Sequence, residues 1–521
     1  MTVVRGAAGR PSPVAGASVG TLPDTFRAVI DGHASTQPTE PFLIAPEPGI
    51  AIDYATLRAN CIAFAGLLRG QGISPGATVS FMLENGLSAA TVFLGSMYGG
   101  FVVSPINLLA QDAQLEYTLT HSESTVVFAT AANRERLEAI QRRTGATFEI
   151  RIVDVDGIEM RAATPQRLEL VGAGDPAMLM YTSGTTGTPK GALLSHANML
   201  AAGRAVARSL ELGASDRVLS SLPLYHINGQ CIATVAPLVS GGSIVMPHRF
   251  SVSQWWPLVA QQRPTWLNMV PTIIAYLLNG PATTPEQAAA CAHVRFGRSA
   301  SAPLPPEQHR AFEQRFGISV VEAMGLTECA SVAFSNPLAT GARRYGSPGT
   351  PLGVEARVVD PSGCELAAGE RGEIEIRGSN VMLGYFKSPQ ATAAALRDGG
   401  WLATGDLGYR DADGFYFITG RLKELIIKGG ENIAPREIDE ALLAHPAVLE
   451  AAAVGVPDKA YGQEILACVV VKPGMSCSED DLRAHCLRTL GRYKSPRYLR
   501  LVDHLPKGPS GKVQRLRLVD L

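Results

Sequence analysis

The stretch Tyr181-Thr182-Ser183-Gly184-Thr185-Thr186-Gly187-Thr188-Pro189-Lys190-Gly191 lies between two apolar runs, Ala177 to Tyr181 and Ala192 to Leu194. Its glycines let backbone N–H groups approach an anion, its hydroxyls add donors, and Lys190 adds a positive charge. A strand, such a loop and a second strand suit a polyphosphate. The pattern is not a Walker A loop, because Gly191 stands where G-x-x-x-x-G-K-[ST] requires Ser or Thr. A P-loop kinase or ATPase that releases ADP is therefore the weaker reading. So dense a run of Gly, Ser and Thr directly after a buried strand also argues against an ordinary surface turn. Ser195 is placed to cap a following helix, and this strand–loop–strand–helix grammar predicts α/β layers.

The same grammar extends in both directions. Asp53 reads as the N-cap of a helix whose Leu57, Ile62, Phe64, Leu67 and Leu68 recur near helical spacing and which ends at Gly70. Thr78 to Met82 reads as a buried strand. Two uncharged stretches, Asn85 to Gln111 and Val218 to Pro247, are broken by Gly99-Gly100 and Pro105, and by Pro223, Pro237 and Gly241-Gly242. A spanning helix needs about 20 predominantly apolar residues, so each reads as a buried helix followed by a buried strand. From Val354 the texture changes to short strands (Ala356 to Val359, Gly372 to Arg377, Gly414 to Ile418), which predicts an all-β subdomain. The tail changes again. A helix runs from Pro435 to His445, strands from Leu449 to Val456 and Ile465 to Val471, and Ser478 with Asp481 forms a capping box for a helix to Leu490. The expected fold is α/β: a large N-terminal body of layered α/β subdomains plus a β-rich subdomain (1–420), and a small mobile α+β C-terminal domain (421–521).

Composition bounds the function. The 521 residues carry 46 Lys+Arg against 47 Asp+Glu, a formal net charge of −1. That balance argues against a polybasic nucleic-acid or anionic-membrane binder. The eight cysteines are scattered, with no C-x-x-C and no Cys/His group of metal spacing, so they read as free thiols. Met1 to Thr21 has no apolar run long enough for a secretory signal and reads as a frayed arm. A cytoplasmic location is the expectation.

The Thr182–Lys190 run closely resembles the phosphate-binding signature of the adenylate-forming (AMP-binding) superfamily of acyl-CoA synthetases, adenylation domains and luciferases. The resemblance continues in order along the chain. Leu222-Pro223-Leu224-Tyr225-His226 is similar to the family's next motif, and Glu322-Ala323-Met324-Gly325-Leu326-Thr327-Glu328 to its nucleotide motif. Trp401 to Asp406 resembles the ribose-binding stretch, Gly420 to Glu424 the hinge, Lys428 to Asn432 the thiolation loop, and Pro506 to Lys512 the C-terminal catalytic loop. The chain thus looks like a free-standing, AMP-forming acid–CoA ligase that uses ATP, Mg²⁺ and coenzyme A.

The resemblance implies roles residue by residue. Thr182, Ser183, Gly184, Thr185, Thr186, Gly187 and Lys190 would hold ATP phosphates. Ser301, Glu322, Ala323, Met324 and Ile418 would surround adenine, although Met324 stands where the family usually has a stacking aromatic. Asp406 would accept from both ribose hydroxyls and Arg421 would donate to the same sugar. Glu328 would bind Mg²⁺, a hard oxygen for a hard cation; Thr327 would reach the α-phosphate. Lys512 would stabilise charge on the phosphoryl oxygens while the acid's carboxylate attacks; a solvated lysine is the bland alternative. The hinge would be Lys423, with Lys428, Gly429, Gly430 and Glu431 swung against the pantetheine path. Lys512 also resembles sites of reversible acetylation in the family, and homo-oligomerisation stays open.

The acyl pocket would be lined by His226, Asn228, Arg298, Ser299, Gly325 and Ser331, with a structural role for His226 the competing reading. Phe250-Ser251 with Trp256, Thr265 to Asn268, Ser299 to Ser301 and Ser335 to Leu338 together resemble the oxalate–CoA ligase-like branch. Ser331, however, stands where an oxalate enzyme would have histidine. Arg298 stands where that branch tends to have a neutral residue, and it could pair bidentately with a second carboxylate or a sulfonate; a solvent-facing or ion-paired structural arginine is the alternative. The expected substrate is a short polar or dianionic acid, oxalate-, malonate- or sulfoacetate-like. Medium-chain or aromatic acids, and loading of a carrier protein, are the alternatives.

Overall fold

The computed structural model describes residues 24–157, 168–182, 189–507 and 513–521. The expectations for Met1 to Thr21, for Ser183 to Thr188 and for Lys512 lie outside the described residues. Among the described residues the strands form four sheets of nine, seven, five and five strands.

The seven-stranded sheet is built around the strand that enters the phosphate loop. Pro176–Thr182 pairs with Lys190–Ser195 antiparallel and with Val102–Pro105 parallel, and Thr78–Met82 and Ser124–Ala129 continue the parallel run. All five residues of Thr78–Met82 are buried, as expected of a strand covered on both faces. Helix Leu87–Gly99, buried along its whole length, and strand Val102–Pro105 account for the first uncharged stretch. The second departs from a simple helix–strand pair: strand Arg217–Leu219 comes first, then a π-helix, Asn228–Val235, a short α-helix, Ala236–Ser240, and strand Ser243–Val245. Among the described residues no helix is long and apolar enough to cross a membrane.

Local sequence sets the helix ends. Asp53 caps Tyr54–Gly70 by accepting from the Thr56 N–H at 2.7 Å. Ser195 and Asn198 form a reciprocal capping box at the start of His196–Ser209, and Ser478 and Asp481 form another. The last helix is Glu479–Lys494, and its helical dihedrals break at Gly491, one residue past the expected end.

The nine-stranded sheet has a parallel centre in which Trp266–Met269, Phe296–Ser299 and Val320–Met324 lie side by side. Their C-terminal ends point to one edge, where α/β sheets place ligands. Between residues 355 and 421 the expected β-rich unit is a five-stranded sheet, but it is not purely β. Helix Pro389–Ala395 interrupts it, and Gly384–Tyr385 leaves to pair with Lys190–Ser195 in the seven-stranded sheet. From Ile426 onward a separate five-stranded sheet and two helices, Pro435–Leu443 and Glu479–Lys494, bury their own core of Ile426, Ile438, Leu442, Ile465, Val469 and Leu482. All eight cysteines are free thiols.

Candidate active site

A cavity of about 300 Å³ opens at the C-terminal edge of the nine-stranded sheet. Ser301, Glu322, Ala323, Met324, Gly325, Asp406, Ile418 and Arg421 line one side, and Arg436, Lys507, Val513 and Arg515 line the other. The nucleotide residues expected from sequence therefore converge, and the C-terminal region roofs them. Lys507 and Val513, the described residues that flank 508–512, both face this cavity.

Asp406 and Arg421 are cross-strand partners in the antiparallel pair Trp401–Arg410 and Tyr416–Arg421. Their ion pair is 2.7 Å (Nε to Oδ1), with Asp406 buried and Arg421 a third exposed. Gly405, at φ +72°, turns the strand immediately before Asp406, whose own N–H donates to Thr404 Oγ1 at 3.0 Å. A buried carboxylate held by a cation still has lone pairs that can accept hydrogen bonds from two sugar hydroxyls.

Glu322 is buried, and one carboxylate oxygen accepts from the Leu304 N–H at 3.1 Å. Its other oxygen has no partner among the described residues, and burial pushes the carboxyl up to about 7. It braces the Ser301–Leu304 wall and leaves an acceptor toward the cavity. Ser301 takes a left-handed φ of +73°.

The phosphate side is assembled from distant segments. Thr182 and Lys190 are register partners at the mouth of the loop, with the Thr182 hydroxyl 3.4 Å from the Lys190 carbonyl. The Lys190 ammonium lies 4.9 Å over the Tyr385 ring, and the Tyr385 hydroxyl donates to Glu328 Oε1 at 2.8 Å. Glu328 sits in the 3-10 turn Thr327–Cys329, whose backbone is tied to the same segment by the Met382 N–H donating to the Glu328 carbonyl. The Thr327 hydroxyl has no hydrogen bond among the described residues. No group of three His, Cys, Asp or Glu side chains gathers among the described residues. The donor set nevertheless fits Mg²⁺, since Glu328 offers one hard carboxylate that a cation can share with phosphate oxygens. Tyr385 escaped the sequence reading, because nothing local in Gly384-Tyr385-Phe386 announces a partner 57 residues away.

Several residues expected at the acyl pocket belong to a relay of buried polar groups, and of the expected set Gly325 alone lines the cavity of about 300 Å³. Asn228, first residue of the π-helix, donates to Ser301 Oγ at 3.1 Å and accepts from Asn268 Nδ2 at 3.0 Å. Such π-turns cluster at functional sites. Gly229 packs so tightly on the Pro223 carbonyl that an added Cβ would lie 2.4 Å from it, which fixes the turn carrying half-buried His226. Gly325 is likewise obligatory, since its Cβ would lie 2.1 Å from the Ser331 carbonyl oxygen. Ser331 is buried at φ +72°. Asn268 faces Arg298 across the parallel pair, so the two share one face of the sheet.

Arg298 is only 2% exposed and, among the described residues, makes no ion pair and has no hydrogen-bond partner at Nη1. Burial pushes the guanidinium down to about 10, which leaves it charged at neutral pH. Neighbouring Ser299 is fully buried, and its hydroxyl has no partner among the described residues.

The thiolation-loop residues stand apart from this cavity. Gly429 and Gly430 (φ +55° and +87°) make a tight hairpin turn between register partners Lys428 and Glu431. The Lys428 ammonium is buried beneath it, 2.5 Å from Glu464 and 3.0 Å from the Tyr493 carbonyl. In this arrangement Lys428 braces the turn rather than offering its charge to a ligand. Lys423 is exposed in the 3-10 turn Leu422–Glu424 and makes no side-chain hydrogen bond or ion pair among the described residues.

A nucleotide cavity, the strands that flank residues 183–188 and a roofing C-terminal unit fit an adenylate-forming enzyme, and the chain belongs to the AMP-binding enzyme family. The family's main model matches residues 30–386, and that of the AMP-binding enzyme C-terminal domain matches 437–512. The chain is an ATP-dependent, AMP-forming acid–CoA ligase that works with Mg²⁺ and coenzyme A. It is 52% identical over 504 residues to a sulfoacetate–CoA ligase of Cupriavidus necator, covering 95% of this chain and 98% of that protein. It is 34% identical to an oxalate–CoA ligase of Arabidopsis thaliana, covering 86% and 89%. Among solved structures, ATP-bound MatB from Rhodopseudomonas palustris superposes with a TM-score of 0.86 at 32% identity, covering 95% and 98%.

Proposed function

We propose that the enzyme activates a short acid bearing a second anionic group, with sulfoacetate the favoured substrate. The observation that carries this reading is Arg298, a charged guanidinium buried at the acyl side without a counterion among the described residues. An isolated buried charge is costly unless paired, so a substrate that brings its own anion gains what the fold leaves unspent. The 52% identity to a sulfoacetate–CoA ligase supports the same choice.

Catalysis proceeds in two steps. The substrate carboxylate attacks the α-phosphorus of ATP; a carboxyl O–P bond forms, the bond to the β-phosphate breaks, and pyrophosphate leaves. Asp406 and Arg421 hold the ribose, Glu322 and Met324 border the adenine, and Lys190 and Glu328, joined through Tyr385, order the phosphates and the cation. The free hydroxyl of Thr327 serves the α-phosphate. Lys512 supplies the ammonium for the developing charge, a role supported by the position of Lys507 and Val513 on the cavity wall. The CoA thiolate then attacks the acyl carbon, forming C–S and releasing AMP.

We place the domain boundary at 420/421 and the hinge at Lys423, so that the C-terminal domain withdraws Lys512 and presents Gly429 to Glu431 for the second step. The location is cytoplasmic. Acetylation of Lys512 would remove the stabilising charge and silence the first step. A pyrophosphate-release screen with CoA over sulfoacetate, oxalate, malonate, octanoate and benzoate tests the substrate reading. Fastest turnover of sulfoacetate is expected; faster turnover of octanoate or benzoate overturns it.

A further inference from the structure

Ile418 and Arg436 lie on opposite sides of the hinge in sequence, yet they meet on the wall of the nucleotide cavity. Arg436 is the second residue of helix Pro435–Leu443, in the C-terminal domain. Its Nη1 donates to the Ile418 carbonyl at 2.7 Å, and its Nε pairs with Glu440 one helical turn on, also at 2.7 Å. The side chain is 14% exposed. The contact is supported by close backbone packing: a Cβ on Gly420 would lie 3.2 Å from that of Ala434.

Arg515 differs in kind. It binds Asp439 at 2.5 Å, Glu424 at 3.2 Å and the Ala453 carbonyl at 3.0 Å, all beyond the hinge. Those bonds travel with the domain. The Arg436 bond cannot, because rotation about Lys423 carries Arg436 away from a carbonyl that stays with the body.

We propose that Arg436 is a positioning residue that latches the C-terminal domain over the nucleotide in the adenylate-forming orientation, and that it must let go before thioester formation. Glu440 fixes the guanidinium so that one edge faces the body. The carbonyl it grips lies on the same strand as Arg421, so the latch also bears on the strand that holds the ribose partner. The inference rests on the domain swing proposed above.

The test separates the half-reactions, using sulfoacetate for pyrophosphate exchange and chemically prepared sulfoacetyl-adenylate plus CoA for thioester formation. With Arg436→Ala, exchange falls about tenfold, the scale of one charge-assisted hydrogen bond, while thioester formation stays at or above the parent rate. Arg436→Lys, which can still donate to the carbonyl, recovers most of the exchange. Unchanged exchange, or an equal fall in both half-reactions, overturns the latch. Lys423→Pro runs alongside: if it leaves thioester formation intact, the swing itself fails and the latch with it. If it blocks thioester formation while Arg436→Ala slows neither step, the latch alone fails.

Discussion

Replacing Arg298 by Met separates a recognition charge from a structural one. Burial holds the guanidinium down at about 10, well below its ordinary value. A cation whose folded pKa is depressed destabilises the fold wherever it is protonated. The penalty is complete below the folded value, including at pH 7, and disappears only as pH rises past the unfolded one. At about 1.4 kcal/mol per unit it amounts to roughly 3 kcal/mol. Met fills much of the same volume without charge, so the variant keeps or gains stability, by at most about 3 °C in Tm for a chain of this length. Binding moves the opposite way. Losing a buried ion pair costs about 3–5 kcal/mol, so kcat/KM for sulfoacetate falls about 10²- to 10⁴-fold, while that for propionate changes little. The assay is pyrophosphate release for both acids together with a thermal melt. An unchanged sulfoacetate-to-propionate ratio, or a Tm several degrees below the parent, refutes the reasoning and makes Arg298 a structural residue.

Three further outcomes are expected. Tyr385→Phe frees Glu328 from its 2.8 Å bond; adenylation falls about tenfold and is partly recovered by raised Mg²⁺, which a titration of rate against Mg²⁺ checks. Glu322→Gln acts through pH: the parent's carboxyl is raised to about 7, so its stability is fully present below about 4.5 and is lost as pH rises through 7. The variant escapes a loss of roughly 3 kcal/mol over that window, read by urea unfolding at a series of pH values. Lys423→Pro retains acyl-adenylate formation and loses thioester formation, because proline fixes φ at a residue the swing must turn; separate assays of the two half-reactions read it.

The parts of the fold written locally were legible. Asp53, Ser195 and Ser478 act as caps because a short side chain three residues before a free N–H is all that a cap requires. The buried strands followed from residue type and spacing, while the placing of Asp406 and Arg421 beside the other nucleotide residues was implied by the family resemblance. Illegible were the contacts made only by topology. Tyr385 reaches Glu328 because a two-residue strand crosses from one sheet region to another. Asn268 meets Asn228 because a π-helix re-aims its first residue across a parallel sheet. Lys428 looked like a ligand-binding cation from its motif. Its burial against Glu464 depends on a strand more than thirty residues later, which no local pattern encodes.

That buried lysine has a consequence for the second half-reaction. A glycine pair at a hairpin tip would ordinarily sample many shapes, and a thiol arriving there would have to select one. Anchored from below by Lys428, Glu464 and the Tyr493 backbone, and from the side by the Tyr493 hydroxyl on the Lys428 carbonyl, the tip is a rigid prow. In the swing proposed above, it would reach the pantetheine path already in its working form, with the change of shape confined to the few residues of the swivel. Flexibility and recognition would then be kept in separate places along the chain.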